Sequence, residues 1–403
     1  MAARLSIRSY AGDVSLEQDI MRAALIALPQ SGEADLPAIA GKSMAHRQLL
    51  FARETGCTSV IAHGAGASAD GIVLRHAAER LGMKFQIIGN SHALAGIIAD
   101  DDSLLVLQPG LLPESRAALD LLRAEGDRIL VVSAGPGVSA GFERIDLDRA
   151  WAGALTISGC WLGKLAVLAE DAAPHGALLR IALQQQLPEE RLPDNTLDEG
   201  TWSIVRSEDA ARARASDWLR THLGASFPGS TSRWLAKAAI SGPGARLVDT
   251  PQARTGLLIL SAILLGGAII AGIYERPVLG FLLVMASVPV LEAFLALSQL
   301  LVAPFGKLKH LFLLRLIVDV GLLAVGVMSI DSLPHRNIFP ALVLVLALYF
   351  LDRRNLAVWV EPLRDRMVIA AFIALMALLA NTEIAIMLAG LLVLAANIVF
   401  TRR

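Results

Sequence analysis

Hydrophobic positions along this chain follow one spacing up to about residue 228 and another after residue 251. In the first stretch, apolar runs at Ala23 to Leu28, Ser59 to His63, Phe85 to Gly89, Ser103 to Leu107 and Arg128 to Ser133 have the length of buried strands. Met44 to Glu54, Ala69 to Leu81 and Glu114 to Ala124 carry helical spacing with polar outer faces. Strand, helix and strand at this cadence predict a Rossmann-like α/β domain with a mainly parallel sheet covered on both faces. After Pro251 the polar positions retreat to short islands. Crossing a bilayer takes roughly 20 predominantly apolar residues. Six segments come close: Thr255 to Tyr274, Val278 to Val302, Leu311 to Ile330, Ile338 to Leu351, Met367 to Leu379 and Ile384 to Phe400. The fourth and fifth are short, so the pattern predicts an all-α bundle of five or six transmembrane helices behind the α/β domain. Residues 229–250 join the two parts. Within them, Thr231 to Ile240 sets Trp234, Leu235, Ala238 and Ala239 against Arg233 and Lys237, a pattern suited to a helix lying in the membrane interface or to a linker helix.

Composition sharpens this picture. A mean hydropathy of +0.56 over 403 residues is high for a chain that meets only water. The net charge of -1 gives no basic footprint and excludes nucleic acid as an expected partner. Cys57 and Cys160, far apart, support neither a disulfide framework nor a zinc cluster, and are expected to be reduced thiols packed as small apolar side chains. Arg4, Arg8, Asp13, Glu17 and Asp19 break up the first 20 residues, so no secretory signal is expected there. Lys307, Lys309, Arg353, Arg354, Arg364, Arg366, Arg402 and Arg403 fall in alternate loops and at the end, whereas the intervening loops carry Arg276 and Arg336. This asymmetry places both termini in the cytoplasm. With 30 arginines against 6 lysines and abundant alanine, the chain fits a GC-rich bacterial genome, and the expected location is the inner membrane.

Two glycine-rich loops are candidate ligand elements. His63-Gly64-Ala65-Gly66-Ala67-Ser68 follows a strand and opens a helix, where backbone amides can hold a phosphate. The next strand ends at Asn90 in place of an acid, so a dinucleotide fingerprint is incomplete. Gly135-Pro136-Gly137 reads as a turn.

Residues 23–47 resemble the opening of the sugar-phosphate nucleotidyltransferase family. The first strand is present, and Pro37-Ala38-Ile39-Ala40-Gly41-Lys42 matches the turn that leads into that family's first helix. The resemblance implies a nucleotide-binding α/β domain over residues 1–228, with Gly41 and Lys42 as its cofactor-binding candidates. The sequence departs from the family in two places. The glycine-rich loop has shrunk to Gln30-Ser31-Gly32-Glu33 without an arginine, and Gln108 or Pro109 stands where the family carries its metal-binding aspartate. Nucleotidyl transfer needs a divalent cation on carboxylates and donors around a triphosphate, so binding is expected here without transfer.

Residues 251–403 resemble the CDP-alcohol phosphatidyltransferases, six-span enzymes with an acidic motif running from the second span into the third. With Gly306 set on the motif's second glycine, the remaining positions fall on Pro289, Glu292-Ala293, Ala296-Leu297, His310 and Leu314. The resemblance implies Glu292 and His310 as catalytic candidates, Gly306 as a binding position, and Glu292 as the one retained metal-binding carboxylate. Magnesium or manganese is expected only if the site is active, since one Glu and one His do not replace four carboxylates around paired cations. A nucleotidyltransferase domain followed by such a bundle is a known fusion in inositol-phosphate cytidylyltransferase and transferase proteins. Implied partners are membrane lipid, a nucleotide or CDP-alcohol, and a second copy through the membrane domain.

Ionisable groups at hydrocarbon depth are functional candidates. Arg315 and Asp319 stand four apart, share a helix face, and are expected to neutralise each other. Glu292 has no sequence-local partner; it either is protonated, pairs with Arg315 across the bundle, or lines a vestigial headgroup cavity. The resulting expectation is a protein related to phospholipid-headgroup synthesis, with degenerate sites and a binding or regulatory role. The alternatives are an active transferase with an atypical metal site, and an anchor or transporter unrelated to either family.

Overall fold

The structure, a computed structural model, describes residues 21–30, 37–169, 172–223, 230–241, 251–302, 304–305, 311–330, 334–354 and 360–399. It divides into two compact units. One holds the described residues before position 37 together with Ala45–Ile204; the other holds Pro37–Met44 and the described residues from Val205 onward. Residues 205–223, which the hydrophobic pattern groups with the α/β domain, therefore fall in the second unit.

In chain order the strands are Arg22–Ala27 (β1), Ala38–Ile39 (β2), Lys42–Ser43 (β3), Ser59–His63 (β4), Lys84–Ile88 (β5), Ser103–Leu107 (β6), Leu111–Pro113 (β7), Arg128–Ser133 (β8), Glu143–Arg144 (β9), Arg149–Ser158 (β10), Glu189–Arg191 (β11) and Trp202–Ile204 (β12). The first unit's helices are Met44–Glu54 (α1), Ala69–Arg80 (α2), Arg116–Arg123 (α3), Ala134–Ser139 (α4), Pro174–Gln184 (α5) and Asn195–Asp198 (α6).

The main sheet runs β5-β4-β1-β6-β10-β8-β11, with β9 added on β10. Pairings β4–β5, β1–β4, β1–β6 and β8–β11 are parallel, and β10 is antiparallel to both β6 and β8. Central strands β1, β4, β6 and β8 are continuous apolar runs because helices or 3-10 turns cover both faces. The five expected strands are all present, but β5, expected to be buried like the others, is the edge strand and buries only Ile88. The expected mainly parallel sheet needs one correction, β10, a buried ten-residue strand that passes through the middle of the sheet in the opposite sense. Its sequence, RAWAGALTIS, is rich in alanine and lacks alternation, so neither propensity nor period 2 marks it. Trp151, at 0% exposure, anchors the strand and donates its indole N–H to Ala154 O at 3.1 Å.

Two further expectations change here. Gly135-Pro136-Gly137 is no turn but lies inside the short helix α4, which packs on β10. Of the two thiols, Cys57 is buried as expected and burial pushes its pKa up, whereas Cys160 is exposed.

In the second unit, Glu208–His222 (α7), Thr231–Ser241 (α8), Pro251–Ile273 (α9), Pro277–Val302 (α10), Leu311–Met328 (α11), Pro334–Leu351 (α12), Arg366–Leu379 (α13) and Thr382–Val399 (α14) follow one another. The last six coincide with the six apolar segments to within a few residues. Two of them, over Gln252–Ile273 and Pro277–Leu300, are long and apolar enough to cross a membrane among the described residues; Arg336–Leu351, Arg366–Leu379 and Thr382–Ile398 are shorter apolar helices. Helix α10 is the hub, packing against α8, α9, α11 and α13, while α12 and α14 close the other side. The core between them is apolar, with Phe281, Val284, Leu322, Val325, Leu348 and Ile373 buried.

The outer faces are apolar too. Ile263, Ile270, Ile317, Phe339, Phe350, Leu378, Leu391 and Ile398 are all more than half exposed. Helix α8 buries Ser232, Ala236 and Ile240, one position per turn, and leaves Trp234 and Leu235 exposed.

Candidate functional site

Within the second unit, a cavity of about 360 Å³ opens where α11 and α13 begin and α12 stops. Its wall joins α8, α10, α11, α12 and the segment before α13, and most of its polar lining is ionic. Glu292 reaches it from α10, Arg315 and Asp319 from α11, Asp352 from the end of α12, and Arg366 from the first turn of α13. Arg233 of α8 and the 3-10 turn Glu361–Arg364 complete it.

The charges are paired between helices. Arg315 grips Glu292 with a fork, Nε to Oε1 at 2.9 Å and Nη2 to Oε2 at 3.0 Å. Arg233 approaches the same carboxylate, Nε to Oε2 at 3.5 Å. Arg366 holds Asp319 with a second fork at 2.8 and 3.0 Å and donates to Asp352 Oδ1 at 2.9 Å. The expected neutralisation of Asp319 by Arg315 within α11 is thus corrected. A four-residue offset puts both side chains on one face, but each finds a closer planar partner on a neighbouring helix, α10 for Arg315 and α13 for Asp319. Of the readings open for Glu292, pairing with Arg315 across the bundle is the one the geometry realises.

Asp365 has a different task. As N-cap of α13 it accepts from Met367 N–H at 3.0 Å, and its other oxygen accepts from Thr231 Oγ1 at 2.9 Å and Ser232 N–H at 2.6 Å at the start of α8. One buried carboxylate therefore satisfies the amides of two helices. Arg364 donates from Nε and Nη2 to Leu351 O at 3.1 and 3.0 Å, capping the C-terminal carbonyls of α12. Glu361 Oε2 is buried with no hydrogen-bond partner among the described residues.

This donor set does not suit paired divalent ions. Two cations beside a diphosphate need several free carboxylates at close range. Here Glu292, Asp319 and Asp352 each have a guanidinium within 3 Å, and no group of three or more His, Cys, Asp or Glu that could hold a metal exists among the described residues. The other sequence candidates fall elsewhere. His310 and Gly306 lie outside the described residues. Gly41 and Lys42 sit in the β2–β3 hairpin, where Ala40 and Gly41 both take positive φ, 53° and 70°, as a two-residue hairpin turn requires. Neither lines the cavity.

In the first unit, the order β4-β1-β6 reverses direction between β1 and β6, the place where open α/β sheets form a crevice at their strand ends. At the end of β6 stands Gln108, 7% exposed, with its Oε1 lacking a partner among the described residues. Gly153 of β10 lies against it with φ 78°; a Cβ there would come 2.9 Å from Gln108 Oε1. Gln48 Nε2 fixes the same turn by donating to Gln108 O at 2.8 Å and Leu111 O at 3.0 Å. Arg47 and Glu114 form a buried ion pair at 3.2 Å, and burial lowers the Arg47 pKa to about 10. Neither of the two positions at this strand end, Gln108 and Pro109, carries the carboxylate that the resemblance expects, and the Gln108 amide packs against Gly153.

The His63–Ser68 loop needs its first glycine, since Gly64 takes φ 138° and a Cβ there would lie 2.5 Å from the Leu28 carbonyl oxygen. A Cβ on Gly66 would lie 2.2 Å from Ile87 Cδ1, and Ser68 caps α2, accepting from Gly71 N–H at 3.1 Å. Burial lowers the pKa of His63, and burial followed by the nearby His63 lowers that of His175.

No protein-family model matches the chain, and no curated protein matches it. Among solved structures it is similar to the inositol-1-phosphate CTP transferase from T. maritima, at 12% identity over 47% of this chain and 91% of that one, with a TM-score of 0.35. It is also similar to a UDP-glucose pyrophosphorylase complexed with UDP-glucose, at 12% identity over 48% of this chain and 98% of that one, with a TM-score of 0.34.

Proposed function

We propose that this is a multi-pass protein of the bacterial inner membrane whose helical unit keeps the plan of a CDP-alcohol phosphatidyltransferase but binds headgroup chemistry without transferring it. Six helices with apolar outer faces and charges gathered inside one end are the arrangement a bilayer favours, because ionised groups must face the bundle interior. Loops rich in Lys and Arg follow α10 and α12, the end at which the cavity opens, so the positive-inside rule assigns the cavity to the cytoplasmic side. The sheet-bearing unit is assigned a nucleotide-binding role on its strand order and its sequence resemblance, again without transfer, since Gln108 or Pro109 stands where the resemblance expects the carboxylate.

The observation that carries the reading is the neutralisation of Glu292, Asp319 and Asp352 by Arg315 and Arg366. A carboxylate gripped by a guanidinium fork cannot also hold a divalent ion unless the fork opens, at the expense of two charge-assisted hydrogen bonds. The test is release of CMP from a CDP-alcohol by the full-length protein purified in detergent, with magnesium or manganese supplied. The expected result is no release above background and no dependence on either ion. Release that needs a divalent ion and disappears in Glu292→Gln refutes the proposal in favour of an active transferase.

A further inference from the structure

We infer that the cavity of the helical unit takes a small soluble zwitterion, with a primary ammonium seated on Glu361 and an anionic group turned to Arg315. This rests on the binding reading of that cavity given above and names the class of its ligand.

Every carboxylate in the wall is matched except one. Glu292, Asp319 and Asp352 meet guanidiniums, and Asp365 accepts from a hydroxyl and two amides. Glu361 makes no hydrogen bond or ion pair among the described residues, and its Oε2 is buried. Arg364 stands three residues on in the same 3-10 turn, but it is directed to Leu351 O at the end of α12. Pro362 and the bond from Asp365 N–H to Pro362 O, at 3.0 Å, fix the backbone of that turn. A carboxylate held against protein without a partner costs free energy that a bound cation with N–H donors recovers.

The opposite need lies in the same wall. Arg315 stands on the inner face of α11 with Val318 and Asp319 and gives Nε and Nη2 to Glu292. Its Nη1 makes no hydrogen bond among the described residues. An anionic acceptor on the ligand completes that donor set.

The balance of charge selects the ligand. Among the described residues the wall holds four arginines and five carboxylates, a surplus that opposes a bare anion and favours one added positive charge. A ligand that carried only a phosphate would serve Arg315 and leave Glu361 as it is. The one aromatic ring among the described residues of the wall, Tyr349, already has Arg353 over it at 4.3 Å. One ring does not make the cage that a methylated ammonium uses. A primary ammonium instead brings three N–H donors to Glu361.

Phosphoethanolamine and 2-hydroxyethyl phosphate differ only in an ammonium against a hydroxyl. Their affinities for the full-length protein in nonionic detergent and EDTA are read by isothermal titration calorimetry. Wild type is expected to bind phosphoethanolamine about tenfold more tightly, or better, the effect of a charge-assisted hydrogen bond. Glu361→Gln, which breaks no bond in the fold, is expected to bring the two affinities together by weakening phosphoethanolamine. The double variant Arg315→Gln with Glu292→Gln, which strands no carboxylate, is expected to weaken both compounds. Arg336→Gln, outside the cavity where Arg336 meets Glu383, is the unaffected control. Equal affinities in wild type overturn the inference, as does binding of neither compound or a preference that survives Glu361→Gln. A preference that appears only when a divalent ion replaces EDTA also overturns it. CMP release is read in none of these arms, so an active transferase would refute the non-catalytic reading and leave the ammonium preference standing.

Discussion

Replacing Arg366 with methionine removes the cation that joins three helices of the bundle. Its side chain is 14% exposed and that of Asp319 8%, so the pair is little screened. Asp352 is 39% exposed, and its share is a near-surface ion pair of about 0–1 kcal/mol. Asp319 decides the magnitude, because stripping one partner from a buried pair leaves an uncompensated charge and costs roughly 3–5 kcal/mol. Arg366→Met is therefore expected to destabilise by about that amount. Asp319→Asn leaves Arg366 on Asp352 and gives up charged hydrogen bonds, costing about 1.5–3 kcal/mol. The double variant buries no unpaired charge there and is expected to cost about 2 kcal/mol, well below the sum of the singles. Reversible unfolding by SDS in mixed micelles, followed by far-ultraviolet circular dichroism, measures all three. An Arg366→Met protein within 1 kcal/mol of wild type, or a double variant equal to the sum of the singles, refutes the reasoning.

Other consequences follow from the same geometry. In Arg366→Met, Asp319 and Asp352 face one another without a counter-charge, and manganese is expected to raise the unfolding midpoint of that variant but not of wild type; an equal response in both refutes this. Asp365→Ala removes a cap from both α8 and α13, about 1 kcal/mol each, and hydrogen exchange of residues 231–241 should accelerate, with Asp365→Asn restoring most of the protection. Gly153→Val meets both positive φ and the close Gln108 side chain, and should lower stability by about 1–3 kcal/mol in thermal unfolding of the full chain. Burial depresses the pKa of His63 and His175 below the ordinary value of 6.5, so the neutral rings favour the fold. Their contribution is complete above 6.5 and is lost as pH falls through the folded values. Hydrogen exchange in β4 and α5, corrected for intrinsic rate, should speed up on acidification, and His63→Gln with His175→Gln should flatten the dependence.

Much of the frame was legible because burial writes it into sequence. Continuous apolar runs bounded by turns mark β1, β4, β6 and β8, and stretches poor in charge mark α9 to α14; β5 carries such a run at an exposed sheet edge. Strand β10 escaped because a central strand rich in alanine shows neither alternation nor β-branched enrichment. The site was half legible. Glu292 stood out as an acid in an apolar run, and Arg315 and Asp319 as charges in the next. The Glu292–Arg315 pair is among the readings the sequence leaves open, but the pairing of Asp319 with Arg366 is not, because the face a side chain occupies on its own helix says nothing about which helix stands opposite. In the sequence Arg364 and Arg366 count as loop cations that set orientation, whereas Arg364 caps α12 and Arg366 neutralises two aspartates. Helical spacing puts Arg233 on the wet face of an interfacial helix, yet it lines the cavity. The signal available for Arg364 and Arg366 is their closeness in sequence to acids, Asp352, Glu361 and Asp365, which a count of positive charge passes over; Arg233 has no acid near it in the sequence.

Asp365 works as a rivet shared by two helices. Neither α8 nor α13 can slide along its axis without unseating an amide of the other, so a tug on the chain at Ser230 is delivered to the head of α13. The next residue there is Arg366, whose grip joins α11 to α12. Movement of the surface helix would in this way loosen the mouth of the cavity by mechanical leverage, with no ligand needed to start it.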